Sequence, residues 1–228
     1  MKEYLFILKN SPFFSGLTAE EIFAVLKCVD ARITIKKKGE YLFRSGESTA
    51  SMGLVLSGTV LVIQEDLWGR RNIMSRVEAG GLLAEAFAAV PGSVLNVSVE
   101  AVEESKILLL DVGRLLLVCP AACTHHNRLV RNLVSVLAGK ILLFNDKITH
   151  MSKRSTRDKL LSYLSSESLR QGKLSFDIPY DRQQLADYLC VDRAAMSAEI
   201  SKLQREGMLK TERKHFELLP GCGGNQCF

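Results

Sequence analysis

No stretch of this sequence holds the ~20 consecutive apolar residues that a membrane-spanning helix needs, so no membrane partner is expected. The opening MKEYLFILKNSPFF has neither the basic leader nor the long apolar run nor the cleavage site of a secretory signal. Both absences point to the cytoplasm. Its reducing conditions make free thiols the expectation for the six scattered cysteines, Cys28, Cys119, Cys123, Cys190, Cys222 and Cys227. A glycine-rich phosphate loop, a nucleophile–base pair and a strong metal-ligand motif are missing too, so nothing suggests an enzyme or calls for a cofactor. Charge of one sign is also scarce. Residues 1–150 carry 17 basic against 15 acidic side chains and residues 151–228 carry 13 against 10. A net +5 permits a nucleic-acid partner without demanding one, since a local basic patch matters more than the total.

What is present falls into three patterns. Near the front, LTAEEIFAVLKC pairs Thr18 with Glu21 at capping-box spacing and sets Ile22, Val25 and Leu26 on one helical face. From Arg32 to Asp111 the chain reads as short β-runs broken by Gly39, Gly46, Gly58 and Gly69, the signature of a sandwich or barrel. Within them GGLLAEAFAAVPG predicts a short helix over Leu83–Val90, stopped by Pro91-Gly92. Arg70 and Arg71 are expected on a solvated hairpin beside Trp68. The second pattern is HNRLVRNLVSVLAGKILLFNDKITHM. Here Leu129, Leu133, Leu137, Ile141, Phe144, Ile148 and Met151 recur every three or four residues along one long helix. Such a seam needs a partner: a large core, or, given its place between two compact regions, a second copy of the chain.

The third pattern is DRQQLADYLCVDRAAMSAEISKLQREGML, after a helix over Thr156–Glu167. Leu185, Ala186 and Leu189 predict the inner face of a first helix, with Ala186 where the helices cross closely. Val191 falls in the turn and Asp192 caps a second helix lined inward by Met196, Ile200 and Leu203. A hairpin around Arg213–His215 follows, giving a helix-turn-helix with a wing, which fits double-stranded DNA. The outward face of the second helix holds Arg193, Ala194, Ser197, Ala198, Ser201 and Lys202. With Arg182 and Gln183 on the first helix and Lys214 on the wing, these are the candidate DNA contacts. Arg193 stands at the helix start, where a guanidinium fork can take guanine O6 and N7 together. The tail, residues 221–228, is glycine-rich and expected to be disordered.

Taken in order, FFSGLTAEEI, KKGEYLFRSGE, VLSGTV, GGLLAEAFA, the long helix and the helix pair resemble transcription regulators of the Crp/Fnr superfamily over nearly the whole chain. The resemblance implies an α+β protein: a cyclic-nucleotide-binding-type β-roll (jelly roll) over residues 1–123, a dimerisation helix over 124–151 and a winged helix over 152–220. It also implies a homodimer on a palindromic site, a small effector, and RNA polymerase as a further partner. In the cyclic-AMP-binding branch a glutamate holds the ribose hydroxyl and an arginine, followed by serine, meets the phosphate. The glutamate falls on Glu85, and the preceding glycine is replaced by Ala84. The arginine–serine pair falls on Leu95-Asn96. Leucine cannot pair with a phosphate, and a buried anion without a partner costs several kcal/mol. The expectation is an effector other than a cyclic nucleotide, with Glu85, Ala86, Leu95, Asn96 and Ser98 as candidate pocket residues. Glu85 is either a ligand contact or a structural carboxylate. The oxygen-sensing branch carries a cysteine cluster where this chain has only Cys28. A haem, metal or redox sensor on the same scaffold would draw on Cys119, Cys123, His125 and His126 in CPAACTHH; the alternative for that tract is buried thiols at the foot of the long helix.

Overall fold

The structure, a computed structural model, describes residues 2–116 and 124–219. It divides into two compact units, Met1–Ile141 and Leu142–Phe228.

The first unit opens with α1 (Leu5–Asn10), a 3-10 turn at Pro12–Phe14 and α2 (Ala19–Cys28). The capping box forms as its spacing predicts: the Glu21 amide donates to Thr18 Oγ1 at 3.3 Å, and the Thr18 amide donates to the Glu21 carboxylate at 2.8 Å. There follow β1 (Arg32–Lys36), β2 (Tyr41–Phe43), β3 (Ser51–Ser57), β4 (Thr59–Glu65), β5 (Arg71–Glu78), β6 (Leu82–Leu83), α3 (Glu85–Ala89), β7 (Ser98–Ala101), β8 (Ser105–Asp111), α4 (Val112–Leu116) and α5 (Thr124–Met151). The strands make two antiparallel four-stranded sheets, β1-β8-β3-β6 and β2-β7-β4-β5.

Strand β3 shows why two cores form. It is apolar on both faces. Met52, Leu54 and Leu56 pack outward with Leu8, Phe13, Phe14, Ile22 and Leu129 under the helices, while Val55 faces Val60, Val77, Val99 and Ala101 between the sheets. The β3–β4 turn needs glycine. Gly58 has φ +81°, and a Cβ there would collide with Ser105 Oγ and the Glu104 carbonyl.

Two expectations need correction in this unit. The stretch Leu83–Val90 is not one helix. Leu82 and Leu83 pair with β3 as β6, because an extended pair sends Leu82 to the outer core and Leu83 to the inner one; α3 starts only at Glu85. At the β4–β5 tip Trp68 is solvated as expected, but Arg71 is not: its guanidinium reaches back to Glu100 at 2.8 Å.

The long helix is continuous for 28 residues. Its apolar residues do not form one seam. Leu129 and Leu133 are fully buried in the core of the first unit. Val134, Ile141, Leu142, Leu143, Phe144 and Ile148 lie exposed. Adding the half-buried Val130, Leu137 and Met151, positions 130, 134, 137, 141, 144, 148 and 151 alternate steps of four and three, the heptad rhythm of a coiled-coil face. The seam read from the sequence thus begins one residue out of register with the stripe left exposed.

The second unit continues from Leu142 with the end of α5, then α6 (Thr156–Gln171), β9 (Ser175–Asp177), α7 (Arg182–Leu189), α8 (Arg193–Arg205), β10 (Leu209–Glu212) and β11 (His215–Leu218). Helix α6 runs one turn past Glu167 and ends at Gly172, whose φ of +65° makes the left-handed cap. The expected two-stranded wing is a three-stranded antiparallel sheet, β10-β11-β9. Leu160, Leu164, Phe176, Leu185, Leu189, Met196, Ile200, Leu203 and Phe216 fill its core. The tail from residue 220 lies outside the described residues.

Candidate nucleic-acid interface and effector cassette

Both helices of the pair are fixed by side-chain caps. Asp181 accepts from the Gln184 amide at 2.9 Å, and Gln184 returns the bond to the Asp181 amide at 3.1 Å. Cys190 takes the left-handed conformation, φ +51°, that ends α7. The Val191 amide then bonds the Ala186 carbonyl at 3.0 Å, and Asp192 accepts from the Ala195 amide at 2.8 Å to open α8. Ala186 is completely buried, as a close helix crossing requires.

This frame leaves Arg193, Ala194, Ala198, Ser201 and Lys202 exposed and Ser197 half-exposed on α8. Arg193 sits at the first helical position with no ion pair among the described residues. Ser201 Oγ donates to the Ser197 carbonyl at 3.0 Å, so part of its bonding capacity is spent within the helix. Gln183 is exposed and donates to Asp187 at 2.7 Å. Lys214, exposed on the wing turn, reaches the Pro179 carbonyl at 3.3 Å. Beside it Arg213 stands exposed with φ +52°. It is a cation on the same turn that the residue pattern gave no reason to separate from Lys214.

Arg182 is placed differently. Its Nη2 donates to Thr211 Oγ1 at 2.8 Å and its guanidinium lies 4.8 Å from the centre of the Phe216 ring. Burial pulls its pKa below the usual arginine value, and Nη1 is buried without a partner. The side chain fastens the wing sheet to α7. At the far end of α8, Arg157 from α6 grips Glu206 with both terminal nitrogens, raising its own pKa and holding the Glu206 carboxyl below the usual range.

Behind this frame is a polar knot that the sequence did not announce. Lys147 is 4% exposed, with Nζ 4.7 Å from the Tyr188 ring centre. Tyr188 stacks on Tyr180 at 4.8 Å and meets Tyr163 at 5.5 Å. His150, 3% exposed, stands edge-on to Tyr163 and bonds Ser162 Oγ through Nδ1 at 2.8 Å. Burial pushes the Lys147 ammonium down to about 8, lowers His150, and raises Tyr188 to about 12.

In the first unit the cassette sits at the start of α3. Glu85 is 4% exposed. Its Oε1 lies 2.6 Å from Lys140 Nζ of α5, and Nζ also donates to the Leu82 carbonyl at 2.7 Å. Leu95 is buried, and its backbone bonds Gly46 and Glu47 at 2.8 Å each. Ser98 Oγ accepts from the Ser45 amide at 3.0 Å. Ala86 and Asn96 are exposed. The geometry therefore buries two of the five candidate pocket residues and leaves two in solvent. Lys140, the partner of the buried carboxylate, was not among them, and no spacing signal links it to Glu85. In CPAACTHH, Cys119 and Cys123 lie outside the described residues. His125 pairs with Glu21 at 3.1 Å, and His126 is buried. Among the described residues no group of His, Cys, Asp and Glu is arranged to hold a metal ion, and no helix is long and apolar enough to cross a membrane.

Comparison with known proteins gives the same partition. Residues 35–119 match the cyclic nucleotide-binding domain and residues 158–219 match the Crp-like helix-turn-helix domain. The cyclic AMP receptor protein of Thermus thermophilus is 26% identical over 204 residues, covering 89% of this chain and 90% of the relative. The transcriptional activator protein FnrA of Stutzerimonas stutzeri is 23% identical over 203 residues, covering 82% and 76%. Among solved structures, the c-di-GMP responsive global regulator CLP of Xanthomonas campestris superposes with a TM-score of 0.72 at 18% identity, over 90% of this chain and all of that one. With the two domains in this order, and with relatives matched over 76% and 90% of their own length, the chain belongs to the Crp/Fnr family of transcription regulators.

Proposed function

We propose that the chain works as a homodimer on palindromic double-stranded DNA, reading each half-site with α8, and that its roll answers to a small effector other than a cyclic nucleotide. Arg193 carries the DNA reading: an exposed guanidinium, without an ion pair among the described residues, at the start of a helix whose caps fix its direction. A recognition helix meets base edges at its N-terminal end, and alanines around the arginine leave it the one strong reader. The exposed stripe from Val134 to Ile148 supports the dimer, since a run of apolar residues in heptad rhythm is stable only against another such face.

Against a cyclic nucleotide stands one feature of the cassette: the inward position that would need a cation for the phosphate is Leu95, which is buried.

The test is a binding titration on a duplex selected from a random pool and on a scrambled one, at several salt concentrations. Arg193→Ala removes about 1–3 kcal/mol of discrimination per half-site. A uniform weakening of both duplexes, with the salt slope reduced by about one unit, would make Arg193 a phosphate contact and defeat the base-reading assignment. Calorimetry with cyclic AMP shows no tight binding; micromolar affinity would overturn the effector assignment.

A further inference from the structure

Glu85 is the one acidic side chain that the described residues bury almost completely. Its Oε2 is buried with no hydrogen-bond partner among the described residues. The contact of Oε1 with Lys140 Nζ at 2.6 Å is therefore what balances its charge. Lys140 also holds the Leu82 carbonyl at 2.7 Å, so one ammonium grips the cassette on both sides of Ala84. Ala84 itself has φ +58°, a conformation that a residue with a Cβ adopts at a cost. A strained turn is thus held closed from outside by a residue of α5. That residue adjoins Ile141 of the exposed stripe, so the position of the cassette and the position of the stripe are tied through one side chain.

We propose that Lys140 is the positioning residue that couples the roll to the dimer helix, and that a roll effector acts by opening the Glu85–Lys140 pair. This rests on the reading of the chain as a dimeric DNA-binding regulator. A ligand that draws Glu85 off Lys140 releases α3 and the strained turn together, and frees the ammonium to change its hold on α5. Removing both charges mimics that opening without leaving a lone charge in the core.

The experiment compares the full chain with Glu85→Gln/Lys140→Met and with Lys140→Arg. It uses a duplex that the unaltered chain selects from a random pool, with no ligand added. Sedimentation and thermal unfolding establish assembly and folding for each. The double variant folds and sediments as a dimer but binds the duplex about tenfold more weakly or worse, in the range of ordinary coupling between sites. Lys140→Arg, which keeps the cation, stays near the unaltered affinity. Equal affinity of the double variant, within about twofold, would reduce the pair to a structural contact and overturn the proposal. Lys140→Met alone serves as the folding control: it is less stable than the double variant, because it strands the carboxylate. A double variant no more stable than Lys140→Met would also count against the pair. An unaltered chain that selects no duplex or does not dimerise is a different failure, that of the functional reading itself.

Discussion

The two halves of α5 are built inside out with respect to each other. Up to Lys140, leucines go in: Leu129 and Leu133 are fully buried, and Arg131 stays in solvent. Beyond it, Ile141, Leu142, Leu143, Phe144 and Ile148 are exposed, whereas Lys147 and His150 are buried. The first half follows the ordinary rule of an amphipathic helix on a core. The second half breaks it in both directions, and the two breaks have different causes. The outward apolar residues mark the face proposed to meet a second chain. The inward polar residues have found partners within their own unit, a tyrosine stack for Lys147 and a serine for His150. The two lysines are set differently: Lys140, partly exposed, pairs with a carboxylate, and Lys147 is buried beside an aromatic ring.

The most direct way to break the comparison is to charge the outward face. Ile141→Glu with Ile148→Glu should abolish dimers and operator binding in sedimentation and gel-shift measurements. The protomer should fold as before, since both side chains are already in solvent. A double variant that remains dimeric would mean that this stripe is not the interface.

The two lysines can be set against each other next. Lys140→Met should cost about 2–3 kcal/mol, somewhat below the range for breaking a fully buried pair because Lys140 is partly exposed. Lys147→Met should cost less than that, because a side chain of similar length replaces a cation that loses hydration on burial. Denaturant unfolding of the two single variants measures both; equal losses would erase the distinction between the two kinds of partner.

The buried cation of the second unit also sets a pH dependence. The folded pKa of Lys147 lies near 8, below the ordinary lysine value of 10.5. Between those limits the unfolded chain binds the extra proton, so stability rises with pH from about 8 towards 10. His150, also lowered, adds a rise with pH that is complete by its ordinary value of 6.5. Tyr188, raised to about 12, reverses the trend above pH 10. Thermal unfolding followed through the second unit should climb between pH 8 and 10, and Lys147→Met should flatten that climb. A falling curve in this window would contradict the burial of the ammonium. The smallest effect is at the cassette: Ala84→Gly removes the penalty of a Cβ at φ +58° and should stabilise the first unit by about 1 kcal/mol. A loss on denaturant titration would show that the turn is not strained.

Much of the fold was legible because its signals are local. Thr18 and Glu21, Asp192 and its helix, and the inward trio Met196, Ile200 and Leu203 need only neighbours within a turn or two. The family resemblance rests on such local motifs in order. The misses are cases where a distant element decides. Leu83 looks helical beside alanines until β3 pairs it and Leu82 between two cores. Leu129 and Leu133 look like part of one seam until the roll absorbs them, shifting the exposed stripe by one residue. Arg182 has the position and charge of a DNA contact, and its partners Thr211 and Phe216, which arrive from the wing, could not be read from the local pattern. At the cassette, Glu85 was visible as a choice between ligand contact and structural carboxylate. Lys140 was not visible at all, because nothing in the linear pattern connects residues brought together only when α5 packs on the roll.

The bareness of α8 has a consequence for how much information the molecule can carry. Each base pair offers four alternatives in the major groove. On the proposed reading, a dimer with a single base-reading arginine per helix would specify two base pairs, a combination met at about one in every 16 placements on random DNA. Against the ~10⁶–10⁹ competing placements of a genome, that is far too short an address. The rest must be written in quantities that alanines do not obstruct: the fixed separation of two half-sites, the width of the minor groove between them, and the ease with which that stretch bends. Operators of this protein should then look more alike in the stiffness of their centres than in the letters of their half-sites.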